Sequence, residues 1–235
     1  MALDRETLVT TALRLIDEGG LESLTLRKLA SELGVQAPAL YWHVKNKREL
    51  LDLVADRLGA EQQSSFGVAP GPGQPWWEWI EQRTLDSRRA MLAHRDSALI
   101  AAGNRPTTDS LPGAEAVLAA LTKIGLPPAE ALLFLLSTGY YLIGGVLERQ
   151  LSESRESSDA ESEAFEQMRD ASRYPLLAAA VAGFAETNSF DPKDADDEQT
   201  VRAVTGAFDD GIFAYGLGLM VEGLRARLER ARPPE

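Results

Sequence analysis

Residues Leu24 to Leu51 constrain the chain most, because their punctuation leaves room only for short helices packed at angles to one another. Leu26, Leu29, Ala30 and Leu33 recur at helical spacing and mark one buried face. Gly34 then breaks the helix, and Val35 turns the chain back towards the same core. Pro38 suits the first turn of a second, very short helix, where its missing N–H costs nothing. Leu40 points inward, and Tyr41, Trp42 and His43 end that helix. Asn46 followed three residues later by Glu49 is an N-cap signature for the next one. Two short helices, a glycine turn and nearby cations describe a helix-turn-helix, whose second helix is built to enter a DNA major groove.

A net charge of −12 argues at first against a polyanionic partner, but its distribution reverses that reading. Residues 1–58 hold 8 Lys+Arg against 9 Asp+Glu, while the remaining residues hold 16 against 27. Acidity therefore belongs to the later part of the chain, and Arg27, Lys28, Lys45, Lys47 and Arg48 cluster at the motif, where they can meet phosphates. An acidic body repels DNA elsewhere and favours one docking orientation. With no cysteine there is no disulfide framework, thiolate metal site or thiol nucleophile, which fits a reducing cytoplasm. The charged, amphipathic N-terminal segment lacks the apolar run of a signal peptide.

In chain order, residues 4–18 read as an amphipathic helix with Asp4 as N-cap and Leu8, Val9, Ala12, Leu13, Leu15 and Ile16 on its apolar face. Gly19 and Gly20 stop it, and Thr25 caps the helix that follows. A connector helix over about 47–63 carries Leu50, Leu51, Leu53, Val54 and Leu58. The Gly/Pro-rich run 66–75 places a domain boundary there, giving a helix-turn-helix domain with its connector over 1–63 and a second domain over 64–235. A helix over 76–95 follows, with Trp76, Trp79, Ile80, Leu85 and Leu92 as buried candidates. Residues 96–112 are broken by Gly103, Pro106 and Pro112, and a short helix over 114–124 comes next.

The helix from Pro128 to about Leu151 contains 17 successive residues, Ala131 to Leu147, without a charge. That length only reaches the lower end of the membrane-spanning range, and no comparable second span accompanies it. A helix buried in a large core or a subunit interface is the better reading, with no membrane contact. Ser-rich, acidic residues 152–170 read as a loop, 174–186 as a short Ala-rich helix, 191–198 as a second acidic connection and 200–230 as a long apolar helix. Gly206, Gly211, Gly216 and Gly218 would weaken that last helix unless another helix packs closely on it. Two such helices per subunit predict a homodimer with a four-helix bundle formed near 128–151 and 200–230. Twofold symmetry is also what a palindromic operator requires. The predicted fold class is all-α, with no segment reading as a strand.

The order of TLRKLASELGV and then PALYWHVKNKRELLD resembles the DNA-binding head of TetR-type transcriptional repressors. AHRDSALIAAGNRPTT, TGYYLIGGVLERQ and FAYGLGLMVEGLRARL are similar, in place and order, to that family's C-terminal regulatory domain. The resemblance implies that Thr25, Lys47, Tyr41 and His43 meet backbone phosphate, and that Arg27 donates to a guanine edge. It also gives Pro38 and Tyr41 apolar and shape contacts. Trp42 is a candidate for the same surface or for the core. Ala37 and Ala39 stand where the tetracycline-responsive members have polar residues facing bases, so the operator should differ, through alanine–thymine-methyl contacts and Gln36.

The effector site implied by the resemblance departs further. Ala101, Gln63, Thr84 and Arg88 occupy positions where the tetracycline-responsive members have His, His, Asn and Phe, whereas Glu148 matches an acidic residue near the metal. One carboxylate without the imidazole makes no convincing divalent site, so no metal or cofactor is expected, and tetracycline–magnesium binding should be absent or weak. Phe66, Arg88, Asn104, Arg105, Pro106, Tyr140 and Glu148 are the candidate lining of a small-molecule pocket between helix 76–95, segment 96–112 and helix 128–151. The expected function is a homodimeric repressor of a palindromic double-stranded DNA operator, released by a small-molecule effector. An architectural DNA-binding protein without effector is the alternative. A small helical enzyme is the remote one: His43 and His94 are the sole histidines, and His94-Arg95-Asp96 echoes a kinase catalytic loop with no Gly-rich loop beside it.

Overall fold

A computed structural model describes residues 4–67, 69–154, 163–164, 167–187 and 198–231, with side chains described except at 62–66, 198–205 and 207. Every element among them is helical. Asp4 opens α1 (Arg5–Gly19) by accepting the Thr7 N–H at 2.7 Å, and that bond holds its carboxyl below the usual carboxylate range. Gly20, at φ 79°, ends α1 and leads into a 3-10 turn, Leu21–Ser23. Thr25 then caps α2 (Leu26–Glu32), and Gly34, at φ 66°, makes the turn into α3 (Ala37–Leu40), which has Pro38 in its first turn. Asn46 accepts the Glu49 N–H at 2.9 Å while the Glu49 carboxylate accepts the Lys45 N–H at 2.7 Å, so the start of α4 (Lys47–Phe66) is closed from both sides.

These helices share one core. Leu8, Ala12 and Ile16 from α1, Leu29 from α2, Leu40 from α3, and Leu50 and Val54 from α4 are all fully enclosed. Each large side chain so buried is worth about 1.5–3 kcal/mol. Leu24 and Val44, at the turns, close the same cluster. One further member comes from far along the chain: Ile100, 0% exposed.

After the Gly/Pro-rich turn come α5 (Trp76–Leu92), α6 (Ser97–Ala101), α7 (Leu111–Lys123), α8 (Pro128–Ser154), α9 (Pro175–Thr187) and α10 (Glu198–Ala231). Pro112, expected to interrupt helix, instead sits in the first turn of α7, where a missing N–H leaves no bond unmade. Helix α5 stops at Leu92, short of the expected 95, because the chain must bend at Asp96. Of the acidic connections expected at 152–170 and 191–198, residues 155–162, 165–166 and 191–197 lie outside the described residues.

Contacts divide the chain into two compact units, one running up to Gln150 and resuming at Gly216, the other Leu151–Tyr215. Within the first, Met91, Ala98 and Val146 join α5, α6 and α8 in a second core. Gly216 of α10 lies against Tyr141 of α8, where an added Cβ would come within 2.3 Å of the phenol oxygen. Arg227 reaches Glu130 at 2.9 Å, and the Arg225 guanidinium lies 4.2 Å above the Trp77 ring. Within the second, Phe184 meets Phe208 edge-on, with ring centroids 4.3 Å apart.

Helix α8 is largely exposed among the described residues. Of its residues only Ala131 and Val146 are buried, while Leu132, Leu133, Leu136 and Tyr140 face outward. The charge-free run is therefore not an internal core among the described residues.

Candidate functional site

The head presents α2 and α3 as its outer surface. Thr25 uses its hydroxyl as an acceptor for the Lys28 N–H at 3.1 Å, which fixes the first turn of α2 and leaves the threonine exposed. Arg27, Lys28, Gln36 and Pro38 are exposed on the same part of the molecule, and Ala37, Ala39 and His43 are half-buried. Leu40 and Val44 anchor α3 from beneath, which turns Tyr41 and Trp42 outward at 57% and 90% exposure. Trp42 is therefore a surface aromatic, not a core one. An exposed aromatic pair flanked by cations and carried on a rigid core is suited to pack against a sugar–phosphate backbone.

Two cations of the expected cluster are engaged inward. The Lys47 ammonium donates to the Leu21 carbonyl at 2.7 Å, which clamps α4 to the 3-10 turn and leaves two of its three N–H groups for an anion. Arg48 departs more from the phosphate cluster. It binds Asp52 one turn on at 2.8 and 3.0 Å and reaches the Ala102 carbonyl at 3.3 Å, because an i,i+4 carboxylate draws it along α4.

Residues 94–109 are fastened to the head along their length. Asp17 accepts the Arg95 N–H at 3.1 Å and lies 3.0 Å from His94 Nδ1. Asp96, the one non-glycine described residue with positive φ (56°), aims its carboxylate at the Leu21 N–H, 2.7 Å away. Thr107 donates its hydroxyl to Asp56 on α4, and Arg5 pairs with Asp109 at 2.6 Å. The His94-Arg95-Asp96 run is thus a fastening to the α1–turn corner. None of these residues was singled out for this role from sequence: charge-to-backbone bonds across dozens of residues leave no periodic signal, although Asp96 beside a broken helical pattern was visible.

The candidate effector residues separate into two groups. Arg88 is buried at 4% exposure on α5, beside Thr84, Ser87 and Met91. Asn104 is half-buried, with an enclosed Oδ1 that meets no donor among the described residues. Arg105, Pro106, Glu148 and Tyr140 are exposed, the last at 74%. Phe66 ends α4, and its side chain lies outside those described. A shallow cavity of about 510 Å³ lies elsewhere, between α7 and the start of α8, lined by Glu115, Leu118, Ala119, Thr122, Lys123 and Pro128. Among the described residues no group of three or more His, Asp or Glu side chains is placed to hold a metal.

Comparison with known proteins decides the family. Residues 8–54 match the family model described as bacterial regulatory proteins, tetR family, and residues 69–198 match the tetracyclin repressor-like C-terminal domain. The chain belongs to the TetR family. Its relatives include the tetracycline repressor protein class C of Escherichia coli, 35% identical over 222 residues, covering 94% of this chain and 90% of that protein. Among solved structures, a TetR variant from Acinetobacter baumannii AYE in complex with minocycline is 38% identical, with a TM-score of 0.60 over 76% of this chain and 96% of that one. Apo ActR from Streptomyces coelicolor is 28% identical, with a TM-score of 0.76 over 99% of this chain and 100% of that one. The all-α TetR fold read from the sequence is the fold observed. The first family match covers α1 to the early part of α4, so the surface carrying Arg27, Tyr41 and Trp42 is the TetR helix-turn-helix.

Proposed function

We propose that this TetR-family protein is a transcriptional repressor that binds a palindromic operator as a homodimer and leaves it when a small-molecule effector binds. The observation that carries the reading is the continuous fastening of residues 94–109 to the DNA-reading head through Asp17, Leu21, Arg48, Asp56 and Ile100. A change of shape in that segment cannot leave the head where it was. The minocycline complex of the Acinetobacter relative supports a small-molecule effector as the cause of such a change.

In this reading residues 1–63 form the DNA-binding domain and 64–235 the effector and dimerisation domain, acting in the cytoplasm without catalytic turnover. Arg27 reads a guanine edge, and Gln36, Ala37, Pro38 and Ala39 complete the groove contact. Thr25, Tyr41, Trp42, His43 and Lys47 hold the backbone. Phe66, Arg88, Asn104, Arg105, Pro106, Tyr140 and Glu148 are the candidate effector contacts. The outward apolar stripes of α8 (Leu132, Leu136, Tyr140) and α10 (Phe208, Ile212, Tyr215, Leu219) support pairing of two copies by a twofold axis. Such a dimer reads DNA only while its two α3 helices stand about 34–36 Å apart, and effector binding shifts the population towards another spacing.

Selection from a random duplex library with the purified protein at near-physiological salt tests this directly. An enriched palindrome, whose complex then dissociates in a ligand screen, is the expected result. Salt-sensitive binding without sequence preference would overturn it in favour of an architectural role.

A further inference from the structure

Leu21 is bonded on both sides by charges that come from different parts of the chain. Asp96, on the turn between α5 and α6, accepts the Leu21 N–H at 2.7 Å. Lys47, in the first turn of α4, donates its ammonium to the Leu21 carbonyl at 2.7 Å. Both are charge-assisted bonds, the stronger kind, so the 3-10 turn is held between an anion and a cation.

Asp96 has a φ of 56°, a left-handed conformation that a non-glycine residue keeps only where its surroundings impose it. Here they do so from two helices. Asp17 of α1 accepts the Arg95 N–H at 3.1 Å. Gln150 of α8 donates to the His94 carbonyl at 2.8 Å and to the Ser97 hydroxyl at 3.2 Å, and it accepts the Ala98 N–H at 3.4 Å. Ser97 donates in turn to the Met91 carbonyl at 2.6 Å. The result is a carboxylate pressed onto the head: a Cβ added at Gly20 would come within 3.2 Å of it.

A lysine side chain has many rotamers, and ordering it at an interface costs binding energy. The Leu21 carbonyl orders Lys47 before DNA arrives and leaves two of its N–H groups for an anion.

We propose that Asp96 is a positioning residue for DNA binding: it fixes Leu21 from one side, and Leu21 holds the Lys47 ammonium ready for a backbone phosphate on the other. The inference rests on the phosphate role given to Lys47 above. It adds a route from α8, through Gln150, Asp96 and Leu21, to a DNA contact within one subunit, independent of the spacing between two heads.

The test measures binding of the full-length protein to a mixed-sequence duplex by fluorescence anisotropy at several salt concentrations, which reads phosphate contacts without the operator. Asp96→Gly removes the carboxylate and suits the left-handed conformation, whereas Asp96→Asn tolerates it and keeps an acceptor. Asp96→Gly should weaken binding about threefold to tenfold, the worth of one pre-ordered long side chain. Asp96→Asn should recover most of that loss. In a Lys47→Ala background Asp96→Gly should weaken binding no further, because both substitutions remove one arrangement. Gln150→Ala, which loosens the same turn from the α8 side, should repeat this pattern in weaker form. Equal losses with and without Lys47 would make Asp96 a merely structural residue and overturn the inference, as would unchanged binding by Asp96→Gly. If Lys47→Ala left the salt dependence unaltered, the phosphate role of Lys47 would fall together with it.

Discussion

The Thr107 hydroxyl donates to the Asp56 carboxylate, so the loop between α6 and α7 is tied to the connector helix α4. Burial raises the Asp56 carboxyl above the usual aspartate range, and the negative charges of Asp109 and Asp52 add to that. Hydroxyl donation from Thr107 and Ser110 pulls it back only in part. A carboxyl whose pKa rises on folding favours the folded state most when protonated, so this contribution is lost as pH climbs through its folded pKa. Asp56→Asn keeps an acceptor for Thr107 and removes the titration. The difference in melting temperature between variant and wild type should therefore move in the variant's favour as pH rises from about 3.5 to 6, above the ordinary aspartate pKa. A difference that stays flat across that range would show that Asp56 is not the strained group.

Ile100 follows the Gly/Pro-rich turn in sequence but packs with the head, fully enclosed in its core. Ile100→Ala should cost about 2–5 kcal/mol in urea unfolding, as for other large-to-small changes in a closed core. The same variant should weaken the link between effector binding and operator release, measured as the ratio of operator affinities with and without effector. Full loss of stability with an unchanged ratio would assign Ile100 to packing alone.

Arg27 and Lys47 should separate cleanly on DNA. Arg27 is exposed, so Arg27→Ala should cost about 1–3 kcal/mol of operator binding and relax preference at one base position. Lys47 also holds the Leu21 carbonyl. Lys47→Ala should weaken every sequence alike, lower the salt dependence of binding and reduce the melting temperature of the head. Binding of an operator and its single-base variants, measured at several salt concentrations, distinguishes the two patterns.

The head was legible from sequence because its signals are local. Asp4, Thr25 and Asn46 cap the helices expected of them, and the apolar faces of α1 and α4 are buried residue for residue. What the sequence concealed is what closes over distance. Ile100 sits in a one-turn helix too short to show a period, yet it completes the core of a motif that ended some fifty residues earlier. On α5, charged and polar residues at 84 and 86–88 are buried, whereas of the expected Trp76, Trp79, Ile80, Leu85 and Leu92 only Trp79 and Ile80 are, the other three being half-buried. Arg48 was assigned to phosphate by its neighbours in sequence, whereas its neighbours in space are Asp52 and the Ala102 carbonyl.

The proposed subunit pairing rests on a helix with two apolar faces. In α10, Phe213, Leu217, Val221 and Leu224 are buried within the chain, while Phe208, Ile212, Tyr215 and Leu219 recur at three- and four-residue steps on the outside. In the first unit helix α8 likewise exposes Leu132, Leu136 and Tyr140, and its Gly139 and Gly144 have open space beside them. A surface of this kind is kept only where another surface covers it, and a second copy of the same two helices provides one of matching character. A charge placed there would be desolvated without a partner, so Leu136→Glu and Leu219→Glu should each shift the protein from dimer towards monomer in sedimentation velocity at micromolar concentration. Neither side chain belongs to the head core, so the circular-dichroism signal should be retained while operator affinity falls, because two half-sites are then no longer bound as one unit. Sedimentation as an unchanged dimer in both variants would place the interface on another surface.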